Sequence, residues 1–242
     1  TAPFAEAMTL RLPLLNQHSH LQTPAFVSVI HELLARPNDP QRRAHLTLRK
    51  PDRRLLDLFG VRFVVTDVRW LPQYGDGKRI SDFAATIPFG SAVLFESDTF
   101  NDGSYSPTTQ VVVAGYSSAV ATLHRDDFDP RHDVALMNTE LPPLVPVTSA
   151  RLLWDGGELV VEAKSPGDSL LVLPWEYSRC WRVTSVGGGV AAPTLIPVDA
   201  VLLGIHFRER LEATIRFDHH LLFGWRDCRV LDALSFEELR DG

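Results

Sequence analysis

The residues with the clearest chemical potential are aromatic. Trp175, Tyr177 and Trp181 fall within seven residues of the run PWEYSRCW (174–181), and Trp154 lies one hairpin earlier. The chemistry such a set offers is recognition rather than bond-making. Flat aromatic faces stack on the apolar C–H surfaces of sugar rings, while a neighbouring acid such as Glu176 accepts hydrogen bonds from the hydroxyls. The competing role is packing: Trp181, alternating with Cys180 and Arg182, would equally serve as core filling of a sheet.

The remaining candidates are weaker. Cys180 and Cys228 are the only cysteines, too few for a zinc site and too far apart for a CxxC motif. They form either a disulfide or two core thiols. His18 with His20 and His219 with His220 match no metal-binding helix pattern and read as surface or edge-strand histidines. Gly187, Gly188 and Gly189 lack the Lys and Ser/Thr of a phosphate-binding loop and mark a turn. Asp98, Asn101, Asp102 and Gly103, and likewise Asp126, Asp127 and Asp129, carry enough oxygen for a cation. However, Phe100 interrupts the alternation a calcium loop requires, so Asx-type turns are the expected role. No nucleophile elbow is present, and no pair among 30 acidic residues stands out as a hydrolytic couple. No catalytic residue, metal ligand or cofactor is therefore assigned.

These side chains must be positioned by two differently textured stretches. In AFVSVIHELLAR (25–36), Phe26, Val29, Ile30, Leu33 and Leu34 share one helical face between Pro24 and Pro37. A second helix fits Asp52 to Phe59 with Gly60 as its stop, followed by a strand over 61–71. Strands at 91–97, 109–116 and 133–137 and a short helix at 118–125 complete a mixed α/β domain over residues 1–138, an α+β arrangement. The run TELPPLVPVT (139–148) holds three prolines and is read as a stiff linker. Beyond it, ARLLWD, Gly156-Gly157 and ELVVEAK form a hairpin signal, and SLLVLP, RCWRVTS, DAVLLGI and LEATIRF follow as short strands. Residues 149–225 are thus expected to form an all-β sandwich, jelly-roll or immunoglobulin-like, of the kind seen in carbohydrate-binding modules. Residues 226–242 form a polar tail with a short helix near 236–240.

Bulk properties narrow the class. With 242 residues, 45% hydrophobic and 22% charged, the chain is an ordinary globular one. A net charge of −6 gives nucleic-acid binding no support, and Arg49, Lys50, Arg53 and Arg54 read as a solvated helix start. No apolar run has the length to cross a bilayer. The chain begins with Thr1 and shows no signal-peptide pattern, which suggests a processed or excised piece.

Four segments, in order, resemble the C-terminal extracytoplasmic region of YfhO-like bacterial membrane proteins, multi-spanning glycosyltransferases that use lipid-linked sugars. They are LLDLFGVRFVVTD (55–67), DDFDPRHDVAL (126–136), LLVLPWEYSRCWRV (170–183) and PVDAVLLGIHFRERLEATIRF (197–217). The chain departs from that pattern at Cys180, where the family has glycine before tryptophan. It departs again at Arg208-Glu209-Arg210, which replaces a Pro-Ala-Gly turn, and in the polar segment 226–242, where the family re-enters the membrane. The family's catalytic carboxylate lies between transmembrane helices, so the resemblance carries no catalytic residue over to this chain.

The resulting expectation is a non-catalytic domain of a membrane glycosyltransferase-like envelope protein, outside the cytoplasmic membrane and tethered to it. Its partners would be a glycan or polysaccharide and the membrane-embedded part of the same polypeptide, with no nucleic acid. Trp154, Trp175, Glu176, Tyr177 and Trp181 would meet the glycan. Alternatives are an independent carbohydrate-binding or adhesion module, a secreted hydrolase, and a purely structural periplasmic domain.

Overall fold

The computed structural model describes residues 24–37, 39, 41–42, 45–46, 48, 51–67, 78–87, 90–155, 157–218, 228 and 231–232. For 24, 41–42, 45–46, 65–67, 78–87 and 90–95 it describes the backbone alone. Both histidine pairs and the helix expected at 236–240 lie outside the described residues.

Helix α1 (Pro24–Val29) widens into a π turn at Ile30–Leu34, and its apolar stripe, Val29, Ile30, Leu33 and Leu34, is buried as the helical spacing predicts. Strands β1 (Gln41–Arg42) and β2 (His45–Leu46) make a minimal antiparallel pair. Helix α2 (Arg53–Leu58) starts where Asp52 accepts the Arg54 N–H at 2.9 Å. It ends in a Schellman motif, with Gly60 N–H bonded to the Asp57 carbonyl and Val61 N–H to that of Leu56. Gly60 has φ +70°, and a Cβ there would meet Pro174 Cβ at 2.7 Å and the Asn101 carbonyl at 2.9 Å, so both conformation and space demand glycine.

Strands β3 (Phe63–Asp67), β4 (Lys78–Ile87) and β5 (Gly90–Glu96) form an antiparallel sheet in the order β3-β5-β4. Strand β6 (Thr109–Val113), helix α3 (Tyr116–Leu123) and strand β7 (Asp133–Met137) form a parallel pair with a helical crossover, since parallel neighbours cannot be joined by a tight turn. The basic residues read as a solvated helix start are in part structural. Arg53 lies 3.9 Å from the Asp57 carboxylate, and Arg54 donates from one guanidinium nitrogen to the carbonyls of Arg125, Asp126 and Phe128, closing the turn after α3.

The rest is a large antiparallel sheet, so the chain as a whole is strand-rich. Strands β8 (Ser149–Asp155) and β9 (Glu158–Glu176) form the expected hairpin; β10 (Trp181–Val186), β11 (Thr194–Val198) and β12 (Leu202–Phe217) follow. Both β9 and β12 are longer than their sequence texture suggested. SLLVLP belongs to the same strand as ELVVEAK, and LEATIRF continues LLGI across Arg208-Glu209-Arg210. The two strands pair with each other throughout, with a register shift where Arg208 faces Asp168 and Arg210 faces Lys164. That irregularity places Ser165, Pro166 and Gly167 as extra residues on β9 and Glu209 at φ +60° on β12.

The irregularity lets the ribbon fold over. Leu159 and Trp175 would be about 53 Å apart along a straight strand at about 3.3 Å per residue. Yet Trp154, the cross-strand neighbour of Leu159, has its ring 5.3 Å from that of Trp175. The two halves of β9 and β12 therefore face each other and enclose Leu159, Val161, Leu171, Leu173, Leu203, Ile205 and Ile215 in one apolar cluster. On β9, Leu170 and Val172 point the other way, into a second cluster with α1, α2, α3 and β7, so Leu170 to Leu173 are buried on both faces.

That second cluster contains residues from both sides of the proline-rich segment, for example Leu136, Leu144, Val172 and Leu202. The segment 139–148 is no free linker. Gln110 binds the Leu141 N–H and the carbonyls of Leu141 and Pro142, Val145 N–H bonds to Asp168, Val147 N–H to Ser106, and Leu144 is buried. Proline's missing N–H groups leave neighbouring residues to supply these bonds, and the stiff strap is laid along the sheet.

Candidate functional site

Folding the ribbon assembles the aromatic residues. Trp154, Trp175, Trp181 and Phe217 form a row of successive ring contacts. Trp154 meets Trp175 edge-on at 5.3 Å, Trp175 stacks on Trp181 at 6.2 Å with planes 23° apart, and Trp181 meets Phe217 edge-on at 5.0 Å. Trp154 stands at the end of β8, Trp175 at the end of β9, and Trp181 at the start of β10, opposite Phe217 on β12. Trp154 is 56% exposed, whereas Trp175 and Trp181 are half-buried against the apolar cluster between the sheet halves. Each ring contact adds about 0.5–1.5 kcal/mol beyond area burial, so the row is rigid as well as accessible. Trp181 packs against the apolar cluster with one part of its surface and leaves another open.

Glu176 and Tyr177 are also half-buried, and their main-chain groups brace the site. The Glu176 carbonyl accepts the Trp181 indole N–H at 3.0 Å, locking that ring, and the Tyr177 N–H donates to Val201 at 2.7 Å. Burial pushes the Tyr177 phenol up, a shift to which Asp232 adds and which Arg179 and Arg182 oppose, so the hydroxyl stays a neutral donor.

Cys180 and Cys228 are bonded, with Cα atoms 5.3 Å apart. The bridge clips the region around residue 228 onto the turn between β9 and β10. Asp232 reinforces it by accepting from the Ser178 hydroxyl at 2.6 Å and from the Arg179 N–H at 2.9 Å. This turn carries the aromatic row, so the disulfide holds the site's backbone.

Beside the row lies an open groove of about 610 Å³, within the range of small-ligand sites. Tyr177, Trp181, Tyr116 and Met137 are among its lining residues, together with the charged side chains of Arg179, Arg182 and Asp232. Sequence reasoning missed Tyr116, Met137 and both arginines. The arginines were visible only as neighbours of Cys180 and Trp181, while Tyr116 and Met137 come from α3 and β7, far away in the chain.

The other candidates resolve into structure. Asn101 is buried, donates to the carbonyls of Leu58 and Val172 and accepts the Gly103 N–H, so it pins a loop. Asp127 pairs with Arg125 and Asp129 with Arg131. Gly187 to Gly189 lie in the connection from β10 to β11, where Val190 N–H bonds back to Gly187. Among the described residues, no group of three or more His, Cys, Asp or Glu is placed to hold a metal ion. Nor is any described helix long and apolar enough to cross a membrane.

No family model, curated protein or solved structure matches this chain. The resemblance to YfhO-like proteins therefore rests on the four sequence segments alone.

Proposed function

We propose that this chain is a glycan-binding, non-catalytic extracytoplasmic part of a YfhO-like envelope glycosyltransferase, holding a polysaccharide acceptor near a membrane-embedded active site. The folded sheet plays the part of a carbohydrate-binding sandwich following a mixed α/β region. The observation that carries the reading is the accessible, rigid row of Trp154, Trp175 and Trp181, which offers flat apolar faces beside polar groups. Stacking with few hydrogen bonds gives weak, shallow recognition, suited to a polymer that must slide.

Affinity electrophoresis through gels containing bacterial envelope polysaccharide tests it. The wild-type chain should be retarded, and Trp154→Ala, which removes the most exposed ring of the row, should migrate freely while losing no more than the roughly 0.5–1.5 kcal/mol of its contact with Trp175. Free migration of the wild type in every gel tried, or equal retardation of the variant, overturns the reading.

A further inference from the structure

Resting on the proposal of glycan binding, we infer that the groove beside Trp181 selects acidic saccharides, with Arg179 and Arg182 receiving a ring carboxylate while Trp181 and Tyr177 face the sugar ring. Three observations converge on it. The groove is lined largely by apolar and aromatic side chains, and its charged lining is two arginines, both exposed, against one acid, Asp232. Other arginines of the chain hold carboxylates: Arg54 binds Asp52, Arg62 binds Glu96, Arg125 binds Asp127, Arg131 binds Asp129 and Arg210 binds Glu212. Among the described residues, no carboxylate lies in ion-pair range of the Arg179 or Arg182 guanidinium, although the chain as a whole carries a charge of −6.

Asp232 lines the same groove and accepts from the Ser178 hydroxyl and the Arg179 backbone N–H, so the two arginines leave the groove with one net positive charge. Arg182 uses one guanidinium nitrogen on the Arg179 and Trp181 carbonyls, which orients the group beside the ring and leaves its other N–H donors for a ligand. A planar guanidinium fork matches a carboxylate in two parallel hydrogen bonds, and a uronic acid presents that carboxylate at the edge of a ring with an apolar C–H face. Aromatic lining and net positive charge together fit such a sugar better than a neutral one. A phosphate-bearing glycan shares the anionic chemistry, so the test includes it.

Isothermal titration of the intact chain with trigalacturonate, its methyl ester and a phosphorylated trisaccharide decides the matter. Trigalacturonate should bind about fivefold more tightly than the ester at low salt. The preference should fall by about half or more in Arg179→Gln, whose guanidinium makes no described bond within the protein, with acid binding weakened more than ester binding. Raising the salt to 0.5 M should shrink the preference, most in the wild type. Equal binding of acid and ester overturns the inference and leaves glycan binding intact, as does tighter binding of the phosphorylated sugar alone. Failure of all three sugars to bind overturns the inference together with the reading beneath it.

Discussion

Asp199 and Ala135 exchange two hydrogen bonds: the Asp199 N–H donates to the Ala135 carbonyl at 3.0 Å, and the Ala135 N–H donates to the Asp199 carboxyl at 2.8 Å. The pair ties the turn between β11 and β12 to β7, so a fully buried carboxyl adds a polar tie to the apolar cluster that joins the front of the molecule to the large sheet. Asp199 (φ +49°) and Ala200 (φ +70°) both take the left-handed conformation that non-glycine residues avoid, and the buried bridge helps hold them there.

A pH dependence follows from this bridge. Burial raises the Asp199 carboxyl from 3.8 to about 7; the Ala135 N–H pulls the other way, and the Asp133 charge adds to the rise. Because the folded-state value lies above the unfolded one, the contribution is fully present below about pH 4 and is lost as pH climbs through 7. Between pH 5 and 8 the wild type should lose roughly 2–3 kcal/mol relative to Asp199→Asn, which carries no titrating group there. Asp52 and Asp129 act in the opposite sense. Burial pushes Asp52 upward but its bonds to Arg54 outweigh that, and the Arg131 side chain holds Asp129 down against burial, so their contributions fade only as pH falls below the usual carboxylate range. Urea denaturation of both proteins at pH 5, 6, 7 and 8 checks the prediction; parallel curves refute the role of Asp199.

Arg54 should prove a clamp rather than a surface charge. Arg54→Ala strips three carbonyl acceptors and the Asp52 carboxylate of their donor, and should cost about 1–3 kcal/mol. Hydrogen exchange should quicken selectively at His132 and Asp133, whose N–H groups close the adjoining turn onto Asp129. A change below about 0.5 kcal/mol would place Arg54 with ordinary exposed residues.

The disulfide spans 48 residues, a loop for which the chain-entropy argument gives about 4 kcal/mol. Replacing both cysteines by serine should lower stability by roughly 2–4 kcal/mol and loosen the turn that carries Trp181. Intact mass after alkylation, with and without prior reduction, reports the bond directly: alkylation of both cysteines without reductant means they were never joined.

Gly60→Ala should destabilise by more than about 1 kcal/mol, because the added methyl meets Pro174 and the Asn101 carbonyl in a left-handed conformation. Thermal melts suffice to measure it, and a neutral result would mean the α2 terminus rearranges without cost.

Local signals were legible where local chemistry decides. Asp52 and Gly60 bracket α2 as N-cap and C′ residues, β7 follows from the short continuous apolar run 134–137, and the glycines at 156 and 157 place the β8–β9 hairpin. What misled were turn-like residues inside long strands. Ser165-Pro166-Gly167 and Arg208-Glu209-Arg210 read as strand ends, yet neighbouring strands carry the pairing past them and turn them into a fold line. β11 was hidden because Pro197 argues against a strand, which it tolerates near the sheet margin. β4 (KRISDFAATI) lacks a clean apolar alternation. The same limits apply to the site. Trp175, Tyr177 and Trp181 stand together in the sequence, but the contact of Trp154 with Trp175 exists only because β9 folds back on itself. The groove likewise needs Tyr116 and Met137, whose place no spacing rule predicts.

The central claim is that the tryptophan row meets sugar rings directly. The most direct measurement labels the indole nitrogens with 15N, assigns Trp154, Trp175 and Trp181 by single substitution, and follows their signals as a hexasaccharide of envelope polysaccharide is added. Concentration-dependent shifts of all three are expected, largest for Trp154 and Trp175. Unmoved signals for the three at millimolar sugar would contradict it.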